Sequence, residues 1–268
     1  MKSPFSGRIS DAYSQHSQKY TPLLEPILAP MAEQIAELSR LSGEEHVLDL
    51  ATGTGLIARA LASFSAVIVG VDISLGVLRR AYSQSRGEIP FLSGDAHRQP
   101  FKEQCFDLVT CGLSLSHFSD VSAALREIRR VLRSGGRFIT SAWGSGGESR
   151  TKEAAVEVRR RFLSDREVVF GGALNEDMWA DEERGFEALR GAGFEAVRVR
   201  TLPLSGEYRN HAEALETALA WPLTRYRIAQ LAPADRSRLR HETAAAVRQV
   251  DDLRWRSEIH YYQAARSG

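Results

Sequence analysis

The chain has 268 residues, 43% hydrophobic and 26% charged, with a formal net charge of +1. This length suffices for one large α/β domain with insertions or for two small domains, and the near-neutral charge gives no indication of a general affinity for nucleic acid or anionic membranes. Two cysteines, Cys105 and Cys111, cannot build a disulfide framework and are typical of a reducing compartment. No apolar run has the length of a membrane span, and Met1–Arg8 lacks the apolar core of a signal peptide, so we expect a cytoplasmic protein.

Residues 1–45 are predicted to form a helical cap before the rest of the chain. Tyr13 and Tyr20 share a helical spacing, and Thr21–Pro22 is predicted to start a second amphipathic helix that ends at Leu41. We therefore expect two helices in this segment.

Residues 46–143 alternate between short apolar runs and amphipathic stretches. The predicted strands are Val47–Leu50, Ala66–Asp72, Pro90–Ser93, Phe106–Cys111 and Arg137–Ala142. The predicted helices are Leu56–Phe64, Leu75–Ser85 and Val121–Leu132. Strands rich in Val and Ile that alternate with helices indicate a parallel sheet covered on both faces. Ligands of such sheets bind at the carboxyl ends of the strands, where the strand order switches.

The alternation breaks after residue 143, where Ser145–Gly146–Gly147 is interpreted as a flexible joint. Residues 144–185 and 205–252 are predicted to be helical lid insertions, with helices at Thr151–Leu163, Glu182–Gly191, Ala212–Ala220 and Pro233–Val250. Residues 194–202, near an edge of the sheet, and 257–264 are predicted to be the last strands. The whole chain, 1–268, is thus expected to be a single domain.

Three acidic residues stand where predicted strands end. Asp49 precedes a glycine turn, Asp72 ends the second strand and Asp95 ends the third. Asp72 could accept hydrogen bonds from both hydroxyls of a ribose, while Asp95 could accept one from an exocyclic amine. Ile73 would offer an apolar face to a base, and the Ala96 N–H could donate to a ring nitrogen. A lone aspartate at a strand end is often only a helix cap or turn residue, but three in register favour an adenosine site.

The stretch Gly53–Ala58 fits the dinucleotide pattern G-x-G-x-x-G/A, with Asp72 near the expected distance for its acidic partner. An NAD-dependent oxidoreductase is therefore one alternative. It is disfavoured by Asp49, by Gly94–Asp95–Ala96 and by the lack of an evident Tyr-x-x-x-Lys or His–Asp arrangement. A non-catalytic binding module is a second alternative, and the retained acids and glycines argue against it.

Asp49–Gly55 resembles the first motif of class I S-adenosyl-L-methionine (SAM)-dependent methyltransferases. Asp72 matches their second acidic position, and Gly94–Ala96 matches their adenine motif. Phe106–Val109 resembles their fourth strand, and Leu132–Phe138 resembles the helix–turn–strand that follows. These five motifs occur in the family's order over roughly residues 10–145, closest to the ubiquinone- and menaquinone-type methyltransferases. The resemblance implies a Rossmann-like, doubly wound, mostly parallel seven-stranded sheet with helical additions, SAM as cofactor and S-adenosylhomocysteine as product.

The resemblance also implies which residues hold the cofactor. They are Tyr20, Asp49, Ala51, Thr52, Gly53, Gly55, Asp72, Ile73, Asp95, Ala96, Cys111 and Gly112. The loop backbone would approach the methionine part, Asp49 would orient the loop and the amino group, and Cys111 with Gly112 would lie beside the sulfonium. Tyr20, or alternatively Tyr13, would close over SAM from the N-terminal helix. Ala51 stands where the family has its first glycine, a small change that should still fit a tight turn.

His117, after the fourth strand, is the best placed candidate for a general base, which is needed only if the acceptor atom carries a proton. Its alternative role is to line the pocket. The other histidines show no ligand spacing, so we predict no metal. The aromatic residues of the lid are candidates for an apolar pocket that binds a small apolar or aromatic acceptor, and their alternative role is packing within the lid: Trp143, Phe170, Trp179, Tyr208, Trp221 and Tyr226. The sequence has no basic track of the kind that would indicate a nucleic-acid acceptor. It does not indicate an oligomeric state.

Overall fold

The described part of the chain contains seven strands: β1 (His46–Leu50), β2 (Val67–Asp72), β3 (Phe91–Ser93), β4 (Phe106–Gly112), β5 (Leu132–Glu148), β6 (Phe194–Glu207) and β7 (Arg254–Arg266). They are seen in a computed structural model that describes residues 3–64, 67–164, 169–170 and 175–268, without the side chains of residues 17–21. The helices within these ranges are α1 (Pro4–Ser39), α2 (Leu56–Leu61), α3 (Leu75–Gln84), α4 (Val121–Val131), α5 (Arg150–Arg160), α6 (Glu176–Trp179), α7 (Glu182–Gly191), α8 (His211–Ala220), α9 (Pro222–Ala229) and α10 (Pro233–Arg248).

The strands form one sheet in the order β3-β2-β1-β4-β5-β7-β6. The first five strands run parallel, whereas β7 lies antiparallel to both β5 and β6. The chain builds outward from β1 to β3 on one side and then from β4 to β5 on the other, so the strand order switches between β1 and β4. This confirms the predicted doubly wound, mostly parallel seven-stranded sheet, with β3 and β6 as its edge strands.

Each face of the sheet has its own hydrophobic core, because side chains alternate along a strand. Val47 packs with apolar residues of α1 and α2 on one face. Its neighbour Leu48 packs on the other face with residues of α4 and α7. The sheet therefore lies between two helical layers, and α1 belongs to the layer beside α2.

The N-terminal segment is one helix of 36 residues, Pro4–Ser39. The predicted break at Thr21–Pro22 is therefore wrong. Pro22, Pro26 and Pro30 lie within the helix, and each removes one backbone hydrogen bond. Because they recur every four residues they share one helix face, and all three are exposed. The carbonyls that lose their N–H partners lie on this face, where water can hydrate them, so the helix continues.

The end of β5 also differs from the prediction. The supposed flexible joint Ser145–Gly146–Gly147 lies inside β5, which pairs with β7 as far as Glu148, with an irregularity between Trp143 and Gly147. Gly147 has φ +135°, and a Cβ there would lie 2.6 Å from the carbonyl oxygen of Arg256. The lack of a side chain at this position allows β5 and β7 to approach closely, so Gly147 does not mark a hinge.

The remaining predicted elements are present. The helix Glu182–Gly191 has the predicted ends, whereas the other elements differ from the prediction at one end or both. Ala66, the predicted start of the second strand, and residues 165–168 and 171–174 of the predicted lid lie outside the described residues.

Strands β6 and β7 are longer than expected because they pair with each other along their whole length. Phe194 pairs with Arg266 at one end, and Glu207 pairs with Arg254 at the other. The short helix α9 was not predicted. It begins at Pro222, which is well tolerated in a first helical turn, and its apolar periodicity is weak.

Two glycines of α7 provide a matched test of this packing. A Cβ at Gly185 would lie 2.5 Å from Cζ of the buried Tyr262, whereas a Cβ at Gly191 meets nothing within 4 Å. Tyr262 cannot easily move, since its hydroxyl donates to the carbonyls of Trp179 and Asp181. We expect Gly185→Ala to lower the free energy of unfolding by about 1–3 kcal/mol. Gly191→Ala should leave it unchanged or raise it by up to about 1 kcal/mol. Urea unfolding of both variants measures this, and equal effects would contradict the packing described.

Candidate functional site

A cavity of about 560 Å³ opens at the carboxyl ends of the parallel strands, beside the point where the strand order switches. One wall is formed by α1, through residues that include Ser10, Tyr13 and Met31. Most of the predicted site residues line this cavity: Ala51, Thr52, Gly53, Asp72, Ile73, Asp95, Ala96, Gly112 and His117. Asp49, Gly55 and Cys111 are not among the lining residues, and the side chain of Tyr20 lies outside the described part of the chain.

The loop between β1 and α2, which we call the cofactor loop (Ala51–Gly55), has an unusual backbone. Ala51, Gly53 and Gly55 have φ values of 54°, 57° and 78°, in the left-handed region. Glycine adopts this conformation freely, but an alanine there costs about 1–2 kcal/mol. Ala51, which replaces the family's first glycine, is therefore accommodated with some backbone strain. A Cβ at Gly55 would also be crowded, since it would lie 3.0 Å from Cζ of Phe91.

Asp49 lies beneath the cofactor loop and is only 1% exposed. Its Oδ2 accepts hydrogen bonds from Thr52 Oγ1 at 2.6 Å and from the Ala58 N–H at 3.2 Å. Its Oδ1 accepts one from Thr110 Oγ1 at 2.9 Å. Burial raises the pKa of this carboxyl to about 6, against the opposing effect of the three hydrogen bonds. Asp49 thus ties the loop to α2 and β4 from behind, and its predicted contact with a ligand would be indirect.

Asp72 joins two loops at the cavity wall. Its Oδ2 accepts the Gly53 N–H at 2.9 Å, and its Oδ1 accepts the Ser74 N–H at 2.8 Å. These contacts fix the orientation of the carboxylate. Since a carboxylate oxygen can accept two hydrogen bonds, such a group suits the paired hydroxyls of a ribose.

Asp95 has a partner that the sequence analysis missed. Its Oδ1 accepts hydrogen bonds from the His97 N–H at 3.0 Å and from His97 Nδ1 at 2.6 Å. His97 Nε2 lies 3.2 Å from the Asp120 N–H, which can only donate, so the proton of the neutral ring lies on Nδ1. His97 therefore links Asp95 to the start of α4. The short spacing between Asp95 and His97 was the only sign of this contact in the sequence.

His117 stands at the end of a short 3-10 helix, Leu115–His117, and lines the cavity. Its ring lies edge-on to that of Tyr13, with centroids 5.8 Å apart. The backbone N–H of Asn175 donates to the Ser116 carbonyl at 3.0 Å, which brings α6 against this helix. Two residues of α6, Glu176 and Asp177, consequently line the same cavity, although the sequence analysis did not single them out.

Cys111 is fully buried, and its carbonyl accepts a hydrogen bond from Thr140 Oγ1 at 2.6 Å. Burial raises the pKa of its thiol well above the usual value, so the thiol stays protonated. The next residue, Gly112, does line the cavity. A predicted contribution of Cys111 to the site would therefore come from its backbone.

Five aromatic residues also line this cavity, and we call this set the aromatic chamber: Trp143, Trp179, Tyr208, Trp221 and Trp255. The rings of Trp143 and Trp221 meet edge to face at 5.8 Å, and those of Tyr208 and Trp255 lie 6.3 Å apart. Trp255 was not predicted.

The other two predicted aromatics, Phe170 and Tyr226, pack against each other at 5.4 Å in a separate cluster with residues of α1. They belong to the packing of the lid and do not line the cavity.

Within the described ranges, no helix has the length and apolar character needed to cross a bilayer. Nor do these ranges contain a group of three or more His, Cys, Asp or Glu side chains that could hold a metal ion. The expectation of a metal-free reaction stays a prediction.

Comparison with known proteins links this arrangement to methyl transfer. A family model described as a methyltransferase domain matches residues 48–140. The demethylmenaquinone methyltransferase of Corynebacterium kroppenstedtii is 31% identical over 166 residues, which cover 59% of this chain and 71% of that protein.

Solved structures share the fold at lower identity. Phosphoethanolamine N-methyltransferase 2 of Haemonchus contortus, in complex with SAM, is 17% identical with a TM-score of 0.55, covering 98% of this chain and 57% of that one. The cyclase SpnF is 22% identical with a TM-score of 0.59, covering 95% of this chain and 94% of its own. Because this fold also occurs in a cyclase, the sequence relatives, and not the fold, carry the assignment to methyl transfer.

The buried carboxyl of Asp49 predicts a specific pH dependence of stability. Its pKa is about 6 in the folded chain and near 3.8 when unperturbed, so the folded chain keeps the proton to higher pH. The contribution of Asp49 to stability is then complete below about pH 4 and is lost as the pH rises through 6, a change of about 3 kcal/mol. Urea unfolding between pH 4 and 8 should show this loss in the wild type but not in Asp49→Asn. Parallel pH profiles of the two proteins would contradict it.

Proposed function

The chain belongs to the class I SAM-dependent methyltransferases, and on that premise we propose that it methylates a small apolar or aromatic molecule bound in the aromatic chamber. The observation that carries the proposal is that one cavity is lined both by the cofactor loop and Asp72 and by the aromatic chamber, which includes Trp143 and Trp221. A methyl donor and a flat acceptor could thus be held side by side.

The charges around the cofactor loop favour SAM over a dinucleotide. Asp49 and Asp72 both accept hydrogen bonds from this loop. Burial is the main cause of the raised pKa of Asp49, and like-charge repulsion from Asp72 raises it further. A ligand with a sulfonium and an ammonium group would relieve this repulsion, whereas a pyrophosphate would increase it. The NAD-dependent oxidoreductase considered from the glycine pattern has no support from the relatives either.

We assign the cofactor contacts as follows. Asp72 would accept hydrogen bonds from the ribose hydroxyls, and Ile73 would pack on the adenine. Asp95, oriented by His97, and the Ala96 N–H would bind the edge of the base. The backbone of the cofactor loop would face the methionine part, and Gly112 would lie beside the sulfonium.

Bound SAM supplies an electrophilic methyl group, so the chain must mainly hold a nucleophilic atom in line with it and exclude water. Such positioning can supply about 7–11 kcal/mol of the barrier. The aromatic chamber would hold the plane of the acceptor by edge and face contacts with Trp143 and Trp221. Where the attacking atom carries a proton, His117 would accept it.

The name of the Corynebacterium relative indicates a quinone-type ring as one acceptor class. The aromatic walls of the chamber suit a flat ring of this type. The direct experiment incubates the protein with SAM and a panel of quinols, phenols and non-aromatic amines, and measures S-adenosylhomocysteine. We expect product only with ring-bearing acceptors. Turnover confined to non-aromatic acceptors, or none with any of them while SAM is bound, would contradict the proposal.

Removal of the ribose ligand tests the cofactor assignment. Asp72→Ala should weaken SAM binding by at least about tenfold in calorimetry, because hydrogen bonds to a charged group are lost. Asp107→Ala is the control. Asp107 lies near the start of β4, at the amino ends of the parallel strands and so away from the cavity, and it binds Arg133. Equal SAM affinities of the wild type and Asp72→Ala would exclude the ribose role.

The role of His117 is tested with an acceptor that carries an ionisable hydroxyl. His117→Asn should lower kcat by about 100-fold, the smaller end of the usual gain from a positioned base, and leave the SAM dissociation constant unchanged. With an already ionised acceptor the loss should be much smaller. An unchanged kcat with both acceptors would leave His117 as a residue that only lines the pocket.

A further inference from the structure

The buried carboxylate of Glu25 connects α1 to the cofactor loop. Glu25 is 9% exposed. It accepts a hydrogen bond from Thr54 Oγ1, one from Arg59 Nη2 at 3.1 Å and one from Gln84 Nε2 at 3.2 Å. Thr54 belongs to the cofactor loop, Arg59 to α2 and Gln84 to α3. One side chain of α1 thus contacts the cofactor loop and the two helices α2 and α3.

Arg59 also contacts the other two partners of Glu25. Its Nη1 donates to the Thr54 carbonyl at 2.6 Å and to Gln84 Oε1 at 2.8 Å. Thr54 is therefore held through both its hydroxyl and its carbonyl. A buried ion pair is stable only when further hydrogen bonds satisfy it, and this one is satisfied by groups of the cofactor loop itself.

Glu25 lies between two parts of α1 that differ in their contacts. The C-terminal part packs into the sheet through Leu28, Met31 and Ile35. Both parts line the cavity, but the N-terminal part also contacts the loop after β2, where Ser10 Oγ donates to the Ile73 carbonyl at 3.2 Å and Ser14 Oγ lies 2.7 Å from Ser74 Oγ. The helix consequently contacts the loops after both β1 and β2.

We propose that Glu25 is a positioning residue for SAM, which fixes Thr54 in the cofactor loop and couples the seating of α1 over the cavity to cofactor binding. The inference rests on the proposed cofactor site. Since Glu25 is not among the residues that line the cavity, it would act on the cofactor only through Thr54 and α1. Cofactor binding should then order α1, and loss of the network should weaken binding without removing any direct contact.

A double-mutant cycle tests this coupling. Glu25→Gln alters the carboxylate, and Thr54→Val removes only the hydroxyl and leaves no buried charge unpaired. We expect each single variant to weaken SAM binding by about tenfold. The double variant should be little worse than either, because both changes break the same contact. The control is Glu33→Gln, an exposed glutamate of the same helix, which should bind SAM as the wild type does.

Hydrogen exchange of residues 4–16 gives a second readout, which a purely structural role of Glu25 would not change. SAM should increase the protection of this segment in the wild type and in Glu33→Gln, but by less in Thr54→Val. Wild-type SAM affinity in the folded Thr54→Val and Glu25→Gln variants, or independent effects that multiply in the double variant, would overturn the inference. A wild-type chain that does not bind SAM would instead overturn the proposed cofactor site, and this inference with it. If Glu25→Gln does not fold, Thr54→Val and its exchange profile decide alone.

Discussion

Three successive residues of the cofactor loop each donate a hydrogen bond to a different carboxylate. Thr52 donates to Asp49, Gly53 to Asp72 and Thr54 to Glu25. The three acids come from β1, β2 and α1, so they hold the loop from three directions. This matters because the loop has a left-handed backbone at alternate residues, Ala51 included, and such a conformation persists only when its surroundings impose it.

The same carboxylates give the site its chemical character. The pKa of Asp49 is raised mainly by burial and further by repulsion from Asp72, while the charge of Glu25 is balanced by Arg59. The loop therefore lies in a negative environment that suits a cationic cofactor. Aromatic residues line the same cavity, so one space combines charged groups that suit a methyl donor with an apolar surface that suits its acceptor.

The sequence predicted the parts of this arrangement that depend on local pattern and on the geometry of parallel sheets. The alternation of strands and helices was sufficient to place Asp49, Asp72 and Asp95 at neighbouring strand ends. It could not predict Glu25, because its contact with Thr54 depends on how α1 packs 29 residues away in sequence. His97 was missed because its bonds to Asp95 and Asp120 depend on the path of a loop.

Two further errors have the same physical origin. The prolines of α1 normally end a helix, but here they share a solvent-facing side, which only the three-dimensional orientation reveals. Aromatic residues of the lid are equivalent in the sequence, yet Trp221 lines the cavity and Tyr226 packs inside the lid.

A crystal structure of the chain with S-adenosylhomocysteine bound would decide the cofactor assignment. Both ribose hydroxyls should lie within about 2.5–3.0 Å of the Asp72 carboxylate. The adenine should lie beside Ala96 and the sulfur next to Gly112, facing the aromatic chamber. A nucleoside bound elsewhere, or a ribose held by groups other than Asp72, would contradict this assignment.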